Sequence, residues 1–268
     1  MTKLAHLPQR GVISITGADR VVFLNGLVSN EVALAAPGRA VWAALLTPQG
    51  KYLSDFFIFP NDDTLLLDAP AADIPVLITK LNRYRLRAAV VLADASASYG
   101  VYAAWGGSAP KGPITAPDPR LEAAGWRILS ETELDTNASA ADYAAHRIAL
   151  GLPDGAPDME PEKTLLLEAG FDELGGIAWD KGCYMGQELT ARTKYRGLVK
   201  RRLVPVELSE PDVAPGTAVL ADGQEVGSLR SCSGMIALAS LRLDALDKNL
   251  TTGNALLYPR IPGWMKPV

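Results

Sequence analysis

Lys181-Gly182-Cys183-Tyr184-Met185-Gly186-Gln187-Glu188 is the stretch on which the reading of this chain turns. Gly182 and Gly186 bracket Cys183, and Gln187 to Arg196 holds good helix formers with no breaker until Gly197. The spacing predicts a glycine-flanked turn that runs into a helix N-terminus. Glu188 and Arg192 stand at i,i+4, in the favourable order for a helix pair. Upstream, Gly175-Gly176-Ile177-Ala178-Trp179 reads as a turn and a short strand. Trp179, four residues before Cys183, is the aromatic residue best placed to line a site. A cysteine near helix N-terminal amides and near a cation such as Lys181 is in the setting that favours a thiolate, with Glu188 opposing. Such a thiol can be a nucleophile, a metal or cluster ligand, or a redox sensor; the bland alternative is a small buried hydrophobe. No histidine stands nearby to act as a base, which weakens a hydrolytic reading.

Toward the N-terminus, strand-like and helix-like runs alternate. Val12 to Thr16 is a short β-branched run, and Asp19 is a candidate N-cap for a helix from Arg20 to about Ser29. Val41 to Thr47 and Tyr52 to Phe59 flank the turn Pro48-Gln49-Gly50, and Asn61-Asp62-Asp63 is the next turn. A helix from about Ala71 to Arg87 has Ile74, Leu77, Ile78, Leu81 and Tyr84 as its buried stripe. Arg83, Arg85 and Arg87 cluster around Tyr84, either as a solvated helix end or as an attractor of anions. Ala89 to Leu92 and Ser98 to Trp105 are further strands. Residues 106 to 120, rich in glycine and proline, read as a linker, and Ala140 to Leu150 as a helix. From Lys200 onward, short strands punctuated by Pro215-Gly216 and Asp222-Gly223 suggest a small β-barrel. The pattern predicts an α+β region over residues 1–199, either one unit or two subdomains divided near 106–120, and a barrel over 200–268.

The chain has 268 residues, 48% of them hydrophobic and 21% charged, which suits a globular protein with more than one packed unit. A formal net charge of −4 argues against nucleic acid as the main partner. The two cysteines, Cys183 and Cys232, form no CxxC pair and no disulfide framework, and Cys232 reads as a structural thiol. His6 and His146 stand far apart in sequence, which argues against a self-sufficient zinc or cluster site. No apolar run approaches the length of a membrane span, so the composition suggests a protein that is not in a membrane.

The run from Lys181 to Glu188, followed by Ala191-Arg192, resembles the signature K-G-C-Y-x-G-Q-E-x-x-A-R of the YgfZ family, relatives of the glycine-cleavage T-protein (GcvT-like aminomethyltransferases). Other parts agree in order: Phe23-Leu24-Asn25-Gly26, Gly50-Lys51 with Asp55, Leu81-Asn82-Arg83-Tyr84, and Val226-Gly227. His146 to Gly155, Leu167-Glu168 and Gln187 to Thr193 are similar to the branch that contains the mitochondrial iron–sulfur cluster assembly factor. The resemblance implies an aminomethyltransferase-type folate-binding fold of antiparallel sheets with helices, plus the barrel. It implies iron–sulfur cluster assembly or repair for [4Fe-4S] proteins, with Cys183 as ligand to a [2Fe-2S] cluster shared with an A-type carrier protein. Lys181 would tune charge, and Gly182, Tyr184, Gly186, Gln187 and Glu188 would shape the motif. The alternative it implies is a tetrahydrofolate-dependent one-carbon transferase, with Asp55 as acid/base group and Asp55, Tyr84, Glu168, Trp179 and Arg192 around the cofactor. Two departures bear on that alternative. The T-protein has two adjacent carboxylates in its hairpin where this chain reads Ser54-Asp55, and a pterin-holding glutamate where it has Ala149. Without an obvious transit peptide, the resemblance implies a bacterial, cytoplasmic counterpart.

Overall fold

Alternation of side chains across the strands builds the molecule in layers. The computed structural model describes residues 1–112 and 114–266. The elements run β1 (Lys3–His6), β2 (Arg10–Thr16), α1 (Arg20–Asn25), β3 (Val41–Leu46), β4 (Tyr52–Asn61), β5 (Thr64–Pro70), α2 (Ile74–Arg85), β6 (Val91–Asp94) and β7 (Gly100–Trp105). They continue with β8 (Ile114–Pro117), β9 (Trp126–Ser130), α3 (Ala140–Ala149), α4 (Gln187–Tyr195) and the C-terminal strands β10 (Arg201–Leu208), β11 (Ala218–Ala221), β12 (Gln224–Ser233), β13 (Ile236–Arg242), β14 (Leu250–Thr252) and β15 (Ala255–Pro259). One antiparallel sheet has the order β3-β4-β5-β2-β6, a second β1-β7-β9-β8, and β10-β13-β12-β11-β14-β15 closes into a barrel.

Period-two alternation makes β3 a central layer. Trp42, Ala44 and Leu46 join Tyr52, Phe57 and Phe59 on the face toward the second sheet, where Val101, Ala103, Trp105 and Leu129 meet them. Val41, Ala43 and Leu45 point the other way, onto Phe23, Leu24, Ile74, Leu77 and Leu81 from α1 and α2. Each of the large side chains here that is fully buried contributes about 2–3 kcal/mol. The barrel has its own core of Val204, Val206, Val219, Leu229, Ala239 and Leu257.

Several sequence expectations are corrected. The linker at residues 106–120 is not a boundary: β8 lies within it and pairs with β9, and β7 before it pairs with both β9 and N-terminal β1. The two sheets therefore share the chain rather than dividing it. Helix α1 stops at Asn25, short of Ser29; Asp19 stands at its N-cap position as expected, but its side chain makes no capping hydrogen bond. The Asp19 carboxylate accepts the Ala89 amide at 2.7 Å, tying the segment that leads into β6 to the helix start. The helix expected from Ala71 begins as a 3-10 turn, because Pro75 can occupy only the first α-helical turn. Its buried stripe ends at Leu81, and Tyr84 is 42% exposed. Residues 175–179 form no strand but a hydrogen-bonded loop. Strand β14 was not anticipated; with three residues it is too short to carry a period. No helix among the described residues is long and apolar enough to cross a membrane.

Candidate functional site

The segment from Phe171 to Gly186 crosses the end of the five-stranded sheet and is held there at four places. Phe171 stacks on Trp42 with ring centroids 3.9 Å apart. Asn30 donates through Nδ2 to the carbonyls of Trp42 and Gly175, both at 2.8 Å. Ser29 donates through Oγ to the Gly176 carbonyl at 2.7 Å, and the Ala178 amide donates to the Ser29 carbonyl at 3.0 Å. The fourth tie is Lys181. Its Nζ lies 2.7 Å from the Asn25 carbonyl, 2.8 Å from that of Val28, 2.7 Å from that of Asn30, and 3.1 Å from Asn25 Oδ1. These carbonyls belong to the end of α1 and the turn beyond it, where the backbone has no helical donor left to meet them. Burial lowers the Lys181 pKa to about 8, with the charge of Glu31 opposing.

Lys181 was expected to tune the charge at Cys183. The structure gives its ammonium another task, since its donors are taken by the α1 turn. It is a brace for the loop that carries the cysteine, and its Nζ stands 5.2 Å from the centre of the Tyr184 ring. Replacing Lys181 with alanine leaves three carbonyls without this donor. The expected loss is about 1–3 kcal/mol, read as faster amide hydrogen exchange confined to residues 25–30 and 176–184.

Gly186 is the second anchor. It takes φ +83°, and a Cβ there would lie 2.7 Å from the Thr47 carbonyl oxygen and 2.9 Å from the Gly50 Cα. Gly50, at φ +68°, has the converse constraint: a Cβ would lie 2.9 Å from the Gly186 oxygen. The β3–β4 hairpin and the motif thus meet glycine to glycine. Gly182, by contrast, has open space around it and is not required by packing. From Gly186 the chain enters α4, where Gln187 Oε1 accepts the Tyr184 amide at 3.3 Å. Tyr184 is buried, and that burial raises its phenol pKa to about 12. Between these anchors Cys183 stands exposed, a free thiol. Cys232 is half-buried in β12; burial and then Asp158 push its pKa up to about 11.

The remaining sequence candidates are dispersed. Glu188 and Arg192 are both exposed and form no ion pair among the described residues. Trp179 donates to Asp172 at 2.7 Å and lies under Lys194, whose Nζ is 3.9 Å from the ring centre; it belongs to a cluster on the side of α4. Glu168 accepts the Leu165 amide at 3.0 Å, and burial raises its pKa. Tyr84 lies on the rim of a cavity beside Met185. Asp55 is fully buried on the inner face of β4 and accepts from Trp42 Nε1 at 2.9 Å and from the Tyr52 hydroxyl at 2.8 Å. Burial raises its pKa, opposed by Arg10 and by those two donors. Among the described residues no hydrogen bond or ion pair links any two of Asp55, Tyr84, Glu168, Trp179 and Arg192.

The surroundings of Asp55 do not fit a tetrahydrofolate. Its two oxygens are both engaged by Trp42 and Tyr52, and all three side chains are buried with no exposed surface. Guanidinium groups press onto the same aromatic floor, Arg120 at 4.8 Å and Arg127 at 4.2 Å from the Phe57 ring centre. Beyond them runs a buried ion network that sequence reasoning missed. Arg10 pairs with Asp68 at 2.6 Å and with Asp154 at 2.8 Å, Arg127 with Asp68 at 3.2 Å, Arg120 with Asp118 at 2.7 Å, and Arg147 with Asp158 at 2.6 Å. The network reaches the barrel, since Arg147 donates to Ser231 Oγ at 2.8 Å and the Ser231 amide donates to Asp158 at 3.1 Å. Ser29 and Asn30, which hold the loop, were also missed; two polar residues at the end of a predicted helix carry no local signal of a partner some 145 residues away.

Comparison with known proteins places this geometry. Residues 200–267 match the family model of the CAF17 C-terminal β-barrel domain. The chain is 38% identical over 241 residues to the mitochondrial iron–sulfur cluster assembly factor IBA57 homolog of Mycosarcoma maydis, covering 81% of this chain and 60% of that protein. It is 32% identical over 272 residues to the mitochondrial IBA57 of Homo sapiens, covering 88% of this chain and 76% of that one. Its match to the Mus musculus protein is 31% identical over 280 residues, covering 90% and 78%. Among solved structures, the aminomethyltransferase T of the glycine cleavage system from Bartonella henselae superposes with a TM-score of 0.76 at 14% identity, over 98% of this chain and 86% of that one. The α+β aminomethyltransferase-type fold with a C-terminal barrel follows from this superposition and the domain match. The expected cytoplasmic location is overturned: these relatives are mitochondrial proteins.

Proposed function

The chain belongs to the IBA57 family of iron–sulfur cluster assembly factors, and from that premise we propose that it acts in iron–sulfur cluster assembly by presenting Cys183 as one ligand to a cluster held jointly with a carrier protein. The cluster is cargo, passed toward [4Fe-4S] client proteins. The observation that carries this reading is the contrast between an exposed thiol and a braced backbone: Cys183 is free and exposed, while Lys181 and Gly186 on either side are pinned to the α1 turn and to the β3–β4 hairpin. A ligand donor on such a loop is preorganised yet reachable by a second protein. Among the described residues no group of three histidine, cysteine or carboxylate side chains is gathered to hold a metal ion. Iron–sulfur clusters are held by several thiolates, so a lone donor needs thiols from elsewhere. An A-type carrier bearing a [2Fe-2S] cluster is the partner to test.

The experiment mixes the protein with such a carrier and follows the clustered heterocomplex by visible absorption and gel filtration. Wild type is expected to form it. Cys183→Ser is expected to lose at least about tenfold in complex yield, since one missing ligand leaves an iron site open. Equal yield from Cys183→Ser would overturn the ligand role. Cys232→Ser is expected to behave as wild type.

A further inference from the structure

Next to the motif lies a cavity of about 270 Å³ between the β3–β4 hairpin, α2 and Met185. Its floor is apolar, with Leu45, Leu46, Leu53 and Met185. Its charged lining residues are two cations from α2, Lys80 and Arg83, and one anion from a different part of the chain, Glu162. None of these three makes an ion pair among the described residues. Glu162 is held at φ +63°, a left-handed backbone that a glutamate adopts at a cost. Such strain persists only where the surrounding structure imposes it, and it collects at ligand-binding positions. The backbone of Glu162 is fixed by its amide, which donates to the Tyr52 carbonyl at 2.7 Å.

Met185 is two residues from Cys183, so the cysteine Cα lies within about 8 Å of the residue that floors the cavity. We propose that this cavity binds a small thiol bearing two carboxylates and one ammonium on an apolar stem, and presents its sulfur beside Cys183. The lining charges are the complement of that ligand: Lys80 and Arg83 take the carboxylates, Glu162 the ammonium, and the leucines and Met185 the methylene stem. A ligand of this class supplies a thiol that Cys183 lacks, either as a further cluster ligand or as a reversible cap on the cysteine. The inference deepens the ligand reading of Cys183 and rests on it for its purpose, but the binding itself requires no iron.

Glutathione has these groups, and its disulfide gives a covalent readout. The Cys183 thiolate attacks one sulfur of glutathione disulfide. A bond forms between Cys183 Sγ and that sulfur, the original S–S bond breaks, and the departing glutathione thiolate takes up a proton. The experiment uses the full chain as Cys232→Ser, without iron. It measures by mass the rate of mixed-disulfide formation with glutathione disulfide and with uncharged 2-hydroxyethyl disulfide. Taking the ratio cancels the intrinsic reactivity of Cys183. Wild-type residues at the cavity are expected to favour glutathione disulfide by about tenfold, the combined effect of three partly exposed charge pairs. The double reversal Lys80→Glu with Arg83→Glu is expected to bring the ratio to one or below, and Glu162→Gln to an intermediate value. A ratio of one in the parent, or a preference unmoved by the reversals, overturns the proposal. Calorimetry with S-methylglutathione on Cys183→Ser separates this site from the cluster reading. Saturable binding lost in the double reversal supports the cavity even if the heterocomplex test fails, and absence of binding at about 10 mM ligand, on the weak side of the millimolar range, overturns it even if that test succeeds.

Discussion

Asp154→Ala is expected to lower the unfolding free energy by about 3–5 kcal/mol, the cost of breaking a buried ion pair from one side. Asp154 lies between two guanidiniums, 2.8 Å from Arg10 and 3.7 Å from Arg147. Both arginines are almost wholly buried, so neither can recover the lost partner from water. Removing the carboxylate leaves the interior with one uncompensated positive charge, whereas the wild-type pairings neutralise one another. Denaturant unfolding at neutral pH measures the loss. A change under about 1 kcal/mol would show that the network is not coupled in this way. The same residue sets a pH dependence. Burial pushes the Asp154 carboxyl up, but Arg10, Arg147, Arg127 and Arg120 outweigh it and hold its pKa below the usual carboxylate range. A group whose folded pKa lies below its unfolded value stabilises the fold above the unfolded pKa. It loses that contribution as pH falls toward the folded one. Wild type is therefore expected to lose stability on acidification below about pH 4, and Asp154→Asn to show a shallower acid slope. Asp118, held low by Arg120 despite its burial, contributes in the same sense.

Gly186→Ala carries the second large effect, with an expected loss of about 3 kcal/mol or more. Part of this, about 1–2 kcal/mol, is the penalty for a side chain at a left-handed backbone. The remainder comes from a contact that cannot be relieved by rotamer change, because the atom 2.7 Å from the new Cβ is the Thr47 carbonyl oxygen, part of the hairpin backbone. The hairpin and the motif must separate, and Cys183 loses one of the two anchors that frame it. Thermal unfolding is expected to shift by roughly 10 °C for a chain of this size. Gly182→Ala, four residues earlier, is the matched control: a Cβ there meets nothing within 4 Å, and its expected effect is within about 0.5 kcal/mol. If the two substitutions cost the same, the glycine-to-glycine contact does not hold the motif in place. The two variants also separate stability from function, since Gly182→Ala alters the neighbour of Cys183 without moving the anchors.

What was readable from residue order is what local physics controls. Apolar runs bounded by turn residues placed β3, β4 and the barrel strands, because a strand covered on both faces, as β3 is, is apolar along its whole length. The helix-forming run after Gly186 placed α4 within a residue or two. The long motif around Cys183 carries the family resemblance in residue order alone. Where local signals competed with tertiary contacts, the reading slipped. Asp19 has the chemistry of an N-cap, yet its carboxylate is drawn to the Ala89 amide across the sheet edge. The glycine- and proline-rich run after Trp105 looks like a hinge, yet β8 within it is pinned by β9.

Residue order was enough to give an α+β protein with a barrel, and a Cys183 on a glycine-flanked turn before a helix. What surrounds that thiol depends on the packing of distant segments. Lys181 could be read as a charge near sulfur; its ammonium is spent on the carbonyls of Asn25, Val28 and Asn30, some 150 residues away in sequence. Asp55 could be read as an acid/base group; it is fully buried, with both oxygens held by Trp42 and Tyr52. Both outcomes have one physical reason. A polar side chain's partner is chosen by which backbone ends and aromatic faces the packed sheets bring within about 3 Å, and nothing in the local spacing of residues encodes that.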